Sequence, residues 1–145
     1  MIRRATHADL GTIVRLGIAA LEHNALENML ISAEKVRCMA IETVSAAKHF
    51  AWVAEIDGEV RGAVIAVSHE CMFYERQQAT VVMFWCPGYP GHWLSLLRAF
   101  IRWADARPII KMKAFALEHD ADPRIQKVLS RLGFDKALPS FIQTR

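Results

Sequence analysis

Apolar and polar positions follow two different rhythms along this chain, and the switches between them mark its elements. Met1–Thr6 reads as a short first strand. Leu10, Ile13, Val14 and Leu21 then fall at helical spacing, behind a T-x-x-D capping-box pattern made by Thr6 and Asp9. Ser32 can cap a second helix, in which Val36, Met39, Ala40, Thr43, Val44 and Ala47 keep a three-and-four rhythm. At Phe50 the period drops to two. Phe50–Ile56 alternates and is rich in strand formers, Asp57-Gly58 is a strong hairpin signal, and residues 59–68 return as the partner strand.

A polar stretch, residues 69–78, reads as a loop before the strand Ala79–Cys86. A helix is predicted from about His92 to Ala106, with Leu94, Leu97, Phe100, Ile101 and Ala104 on one face. Pro108 closes the connection to a strand at Ile109–Leu117, and residues 118–122 form a loop. Pro123 suits the first turn of a helix that runs to Leu132 and stops at Gly133, and one or two strand segments follow. The order β-α-α-β-β-β-α-β-α-β predicts a mixed α/β sheet flanked by helices. Trp52, Trp85, Trp93 and Trp103 fall at core-like spacing, with Trp93 also placed to reach a site mouth from its helix start.

Composition narrows the class. The 145 residues, 53% hydrophobic and 23% charged, fit one globular domain over residues 1–145. A net charge of +3 without a concentrated basic patch argues against nucleic acid as a partner; Arg98, Arg102 and Arg107 read as a solvated helix face. No apolar run approaches membrane-spanning length, and none follows Arg3-Arg4 as a signal peptide would require, so no membrane association is expected. Cys38, Cys71 and Cys86 are odd in number and form no C-x-x-C pattern, which fits a reducing, cytoplasmic setting. Cys71 with His69 supplies only two ligands, so no metal site is expected.

Candidate chemistry concentrates in "VVMFWCPGYPGHWLSLL", Val81–Leu97, where a strand runs through a glycine-bearing turn into a helix N-terminus. Exposed N–H groups and the positive end of the helix dipole favour an anion there. Four segments together resemble the GCN5-related N-acetyltransferases (GNAT), over nearly the whole chain. "MIRRATHADL" resembles the family's opening, and "WVAEIDGEVRGAVIAV" its central hairpin, with Gly62 near the start of the second strand. "VMFWCPGYPG…LLRAFIRWA" resembles its fourth strand and coenzyme A helix, and "DPRIQKVLSRLGF" its last helix. The likeness is greatest to small phage-encoded acetyltransferase-like proteins.

The resemblance implies a mostly antiparallel sheet in which Ala79–Cys86 splays from Ile109–Leu117. It implies acetyl-CoA as co-substrate, with the pantetheine arm on the backbone of Phe84, Trp85 and Cys86 and the pyrophosphate near Gly91, His92, Trp93, Leu94 and Ser95. It implies an amine acceptor, small molecule or peptide, and leaves a protein partner or homo-oligomer open. The chain departs from the family pattern in three places. Pro90 stands where the Arg/Gln-x-x-Gly-x-Gly/Ala loop has its first residue. His92 and Trp93 replace small residues in a loop about two residues shorter. Leu129 occupies the position of the tyrosine that protonates the leaving thiolate, and Asp122, at the position of a frequent asparagine, reads as an N-cap. Glu70, Glu75 and Glu118 are candidate general bases, beside His69 and His119. The alternative is a degenerate GNAT-fold protein serving as a structural or interaction component, for instance of a phage particle.

Overall fold

A computed structural model describes residues 1–23, 30–115, 122–136 and 143. Its elements are β1 (Ile2–Arg4), a short 3-10 turn (His7–Asp9) running into α1 (Leu10–His23), α2 (Ala33–Ser45), β2 (Phe50–Ile56), β3 (Glu59–Glu70), β4 (Gln77–Trp85), α3 (Pro90–Asp105), β5 (Ile110–Phe115) and α4 (Pro123–Arg131). The sheet order is β1-β2-β3-β4-β5. Among the described residues only the β4–β5 pairing is parallel, and α3 is the crossover that joins those two strands. The expected mixed, mostly antiparallel sheet flanked by helices is what forms. The strand expected after Gly133 falls largely on residues outside those described.

Two apolar layers sandwich the sheet. On one face Ile13, Ala40 and Val44 of α1 and α2 pack on Val53, Ala63, Ile65 and Met83. On the other, Leu96, Leu97 and Phe100 of α3 and Leu129 of α4 pack on Phe50, Ala54, Val64, Ala79 and Val81. Met83 faces α1 while Val81 and Cys86 face α3; Val81 and Met83 would share a face under strict alternation, and an extra residue at Val82 puts them on opposite ones.

Local chemistry explains the boundaries. Asp57 and Gly58 both take positive φ (53° and 78°), as a two-residue hairpin turn requires. Asp122 caps α4 by accepting the Arg124 N–H at 2.8 Å, and Pro123 stands at N1. Past the end of α4 the Phe134 N–H reaches the Leu129 carbonyl and the Gly133 N–H reaches Ser130. That is a Schellman closure, and Gly133 at φ 87° supplies the left-handed residue it needs.

Some expectations shift. The predicted loop at residues 69–78 shortens to residues 71–76, because His69 and Glu70 extend β3 and Gln77 and Gln78 extend β4. Their polar side chains hide an end of the hairpin that is not covered by helices. On α1 the inward residues are Ile13, Gly17 and Ala20, with Leu21 exposed. A Cβ on Gly17 would lie 3.0 Å from Met83 Sδ and 3.1 Å from Val36 Cγ1, so this helix face is small where it meets β4. Ala47 lies beyond α2, which ends at Ser45. On α3 the buried stripe is centred on Leu96, Leu97 and Phe100, with Leu94 and Ile101 half-buried at its flank.

Candidate active site

The turn that opened the functional question is built on a steric fit. Gly62 of β3 lies against Cys86, and a Cβ there would come within 2.5 Å of Cys86 Sγ and 2.8 Å of its Cβ. Glycine is thus what lets Cys86 sink into the core, where burial pushes its thiol pKa up. The chain then turns at Gly88, φ 77°, and enters α3 at Pro90.

The donors at that helix start are few. Pro90 has no N–H, and the Trp93 N–H is already bonded to the Tyr89 carbonyl at 2.9 Å. The amides of Leu94 and Ser95 belong to the helix's own ladder, and the Ser95 hydroxyl donates to the Gly91 carbonyl at 2.9 Å. Of the five residues Gly91–Ser95, only Gly91 and His92 therefore keep an N–H aimed at an anion. The space in front is open: a Cβ placed on Gly88 or Gly91 would meet nothing within 4 Å.

Strand β4 changes character halfway along. Val81 pairs with Ala66 and Met83 with Ile65, so Val82 is an extra residue with no partner in β3, and it is exposed. Such a bulge bends its strand and increases the local twist. The final described pair between β4 and β5 is Val81 with Phe115, one residue before the bulge. Residues 116–121 are outside those described, so the far edge of the expected opening is not defined here.

Both faces of this segment carry aromatic rings. On the α3 side Phe84 lies 5.0 Å from Trp93 and 5.5 Å from Phe115, ring centre to ring centre, and Trp93 lies 6.4 Å from Phe115. The side chain of Trp93, half-buried, thus reaches across toward both strands. On the α1 side Trp85 meets His23, 5.2 Å away at the helix end. Trp52 and Trp103 stack around Phe50 as core residues. Arg107 lies 4.5 Å over the Trp103 ring, whereas Arg98 and Arg102 are exposed.

The candidate bases are spread out. Glu70 ends β3 and is exposed; Glu75 is exposed in the hairpin tip beside Met72, Phe73 and Tyr74. That tip lies at the opposite end of β4 from Cys86, roughly 25 Å of strand away. Glu118 and His119 fall outside the described residues. Leu129 is buried in the core against α3.

One polar chain near the bulge joins His69, named beside the candidate bases, to Thr80 and Gln78, neither of which the sequence singled out. His69 Nδ1 lies 3.1 Å from the Glu70 carbonyl, and its Nε2 lies 3.0 Å from Thr80 Oγ1. Gln78 Nε2 donates to the same hydroxyl at 2.9 Å. A carbonyl can only accept, so Nδ1 carries the proton of the neutral ring and Nε2 accepts from Thr80.

No protein-family model matches the chain, and comparison with curated proteins returns no match. Solved structures do match. A predicted acetyltransferase from Clostridium acetobutylicum with acetyl-CoA aligns at TM-score 0.79 and 12% identity, over 99% of this chain and 95% of its own. AAC(6')-Iy, in complex with the bisubstrate analogue CoA-S-monomethyl-acetylneamine, aligns at 0.73 and 17%, over 100% and 97%. An aminoglycoside acetyltransferase from an uncultured soil metagenomic sample, in complex with sisomicin, aligns at 0.67 and 13%, over 100% and 96%. At these identities the likeness is one of fold, and the fold is that of the GNAT acetyltransferases.

Proposed function

We propose that this protein transfers an acyl group from acetyl-CoA to an amine. The observation that carries the reading is the bulge at Val82, which bends β4 shortly before a helix start with open space in front of it. On this reading the backbone groups of Phe84 to Cys86 hold the amides of the pantetheine arm. The amides of Gly91 and His92 then face the pyrophosphate.

Catalysis would be largely positional. The amine is held against the thioester carbonyl, attacks it, loses a proton, and the thiolate leaves. Leu129 can donate no proton, so the thiolate is protonated by solvent. With two helix amides left for the phosphates, affinity for the co-substrate is low. Among the fold's neighbours, aminoglycoside acetyltransferases support a small-molecule polyamine acceptor. Incubation with acetyl-CoA and a panel of polyamines, read as thiol release together with product mass, tests this. Acyl transfer to at least one amine is expected, and its absence at millimolar co-substrate overturns it.

A second reading rests on Trp93. Its ring packs against Phe84 and Phe115 on the α3 side of both strands, as a side chain retained for packing would. On that reading the chain keeps the fold without the co-substrate, as an interaction or structural component. It predicts no acetyl-CoA binding at any concentration.

A further inference from the structure

We propose that His69 and Thr80 form the proton relay that takes up the amine's proton, with Gln78 as a positioning residue. The inference rests on the acyl-transfer reading and assigns its missing base. Three hydrogen bonds point one way: Gln78 N–H to Thr80 Oγ1, Thr80 O–H to His69 Nε2, and His69 Nδ1–H to the Glu70 carbonyl. This is the order a hydroxyl needs to pass its proton to a ring nitrogen that a second hydrogen bond holds in the accepting tautomer.

Location favours the same role. Thr80 pairs with Ala114 of β5, one residue before the final described pair. It stands two residues, about 7 Å of strand, before the bulge at Val82. Glu70 and Glu75 lie farther along toward the hairpin tip. The relay occupies the face of the sheet opposite α3, since its neighbours Ala79 and Val81 pack toward α3. Thr80 and Gln78 are half-buried there, while His69 is open to solvent. Flanking residues on that face, Val67 of β3 with Met112 and Ala114 of β5, carry no charge. Lys113 is on the other face, paired with Asp105 of α3. Beyond β3, buried His49 takes the Ser68 N–H on Nδ1 and has Glu42 at 3.6 Å from Nε2. Glu70 is the charged residue adjacent to His69 in sequence.

The step balances without a further reactant. The neutral amine adds to the thioester carbonyl, forming the N–C bond. Its proton passes to Thr80 Oγ1 as the hydroxyl proton moves to His69 Nε2. The C–S bond then breaks, and the thiolate takes a proton from water as His69 returns its own to solvent.

The test compares wild type, His69→Gln and Thr80→Val in kcat/KM against pH, in acetyl-CoA titration and in ¹⁵N spectra of the imidazoles. His69→Gln should lose about 100-fold in kcat/KM and flatten the acidic limb of the wild-type profile, with acetyl-CoA affinity unchanged. Thr80→Val should lose activity with the same affinity. In wild type the His69 ring should show Nδ1–H, and Thr80→Val should remove that preference, a readout that needs no turnover. Wild-type rates and an unchanged acidic limb in His69→Gln would overturn the relay while leaving acyl transfer standing. A wild type that neither binds acetyl-CoA nor acylates any amine overturns the underlying reading, and the relay with it.

Discussion

Gly62 and Cys86 show how little room one residue can have. A methyl group at Gly62 would overlap Cys86 Sγ and Cβ and come within 3.2 Å of its Cα, so the backbone itself would have to move. Gly62→Ala should cost about 1–3 kcal/mol in chemical denaturation, and an unchanged midpoint would contradict the packing described. Asp9 is the electrostatic counterpart. Its carboxylate accepts both Arg3 Nη groups at 2.8 and 2.9 Å and the Thr6 N–H at 2.8 Å, while Arg3 Nε reaches Glu55. The Arg3 guanidinium holds Asp9 down to about 2 from 3.8. A depressed folded pKa contributes stability above the unfolded value that is lost as pH falls through the folded one. For Asp9 the shift is on the order of 2 kcal/mol. Urea melts between pH 5 and 2 should therefore show a steeper acid loss in wild type than in Asp9→Asn.

Helix α3 carries the clearest element-scale expectation. Leu97 is fully buried, so Leu97→Ala should cost about 2–5 kcal/mol, with Leu94→Ala costing less because Leu94 is half-buried. Equal losses would mean that the helix is rotated from the phase described. The period of apolar residues was enough to place this helix and three buried residues of its face, Leu97, Phe100 and Ala104, but not to centre the stripe on Leu96. The Asp57-Gly58 hairpin and the Asp122 cap were equally legible, because each follows from the chemistry of one or two residues. The ends of β3 and β4 were not. His69, Glu70, Gln77 and Gln78 are strand residues whose side chains are all polar, with His69 and Gln78 bonded to Thr80, so no apolar alternation marks them. The relay at Thr80 was illegible for the same reason, since a cross-strand contact depends on register.

At the scale of the whole molecule, element order pointed to a mixed sheet flanked by helices with a strand feeding a helix start, whereas the bulge in β4 emerged only from the strand register. The site was only half readable. Pro90 could be recognised as a missing donor from sequence. That the Trp93 amide is spent inside α3, and that its ring lies against Phe84 and Phe115, required the three-dimensional arrangement. Truncating that ring should open space between α3 and the β4–β5 pair without removing a donor.

Calorimetric titration of acetyl-CoA into wild type and Trp93→Ala tests the central claim most directly. Binding to wild type with a Kd of about 0.1–1 mM, tightened by the substitution, is the result predicted for an acyltransferase with two helix amides left for the phosphates. No heat at millimolar ligand in either form, or a wild-type Kd near 1 μM that Trp93→Ala weakens, would contradict it.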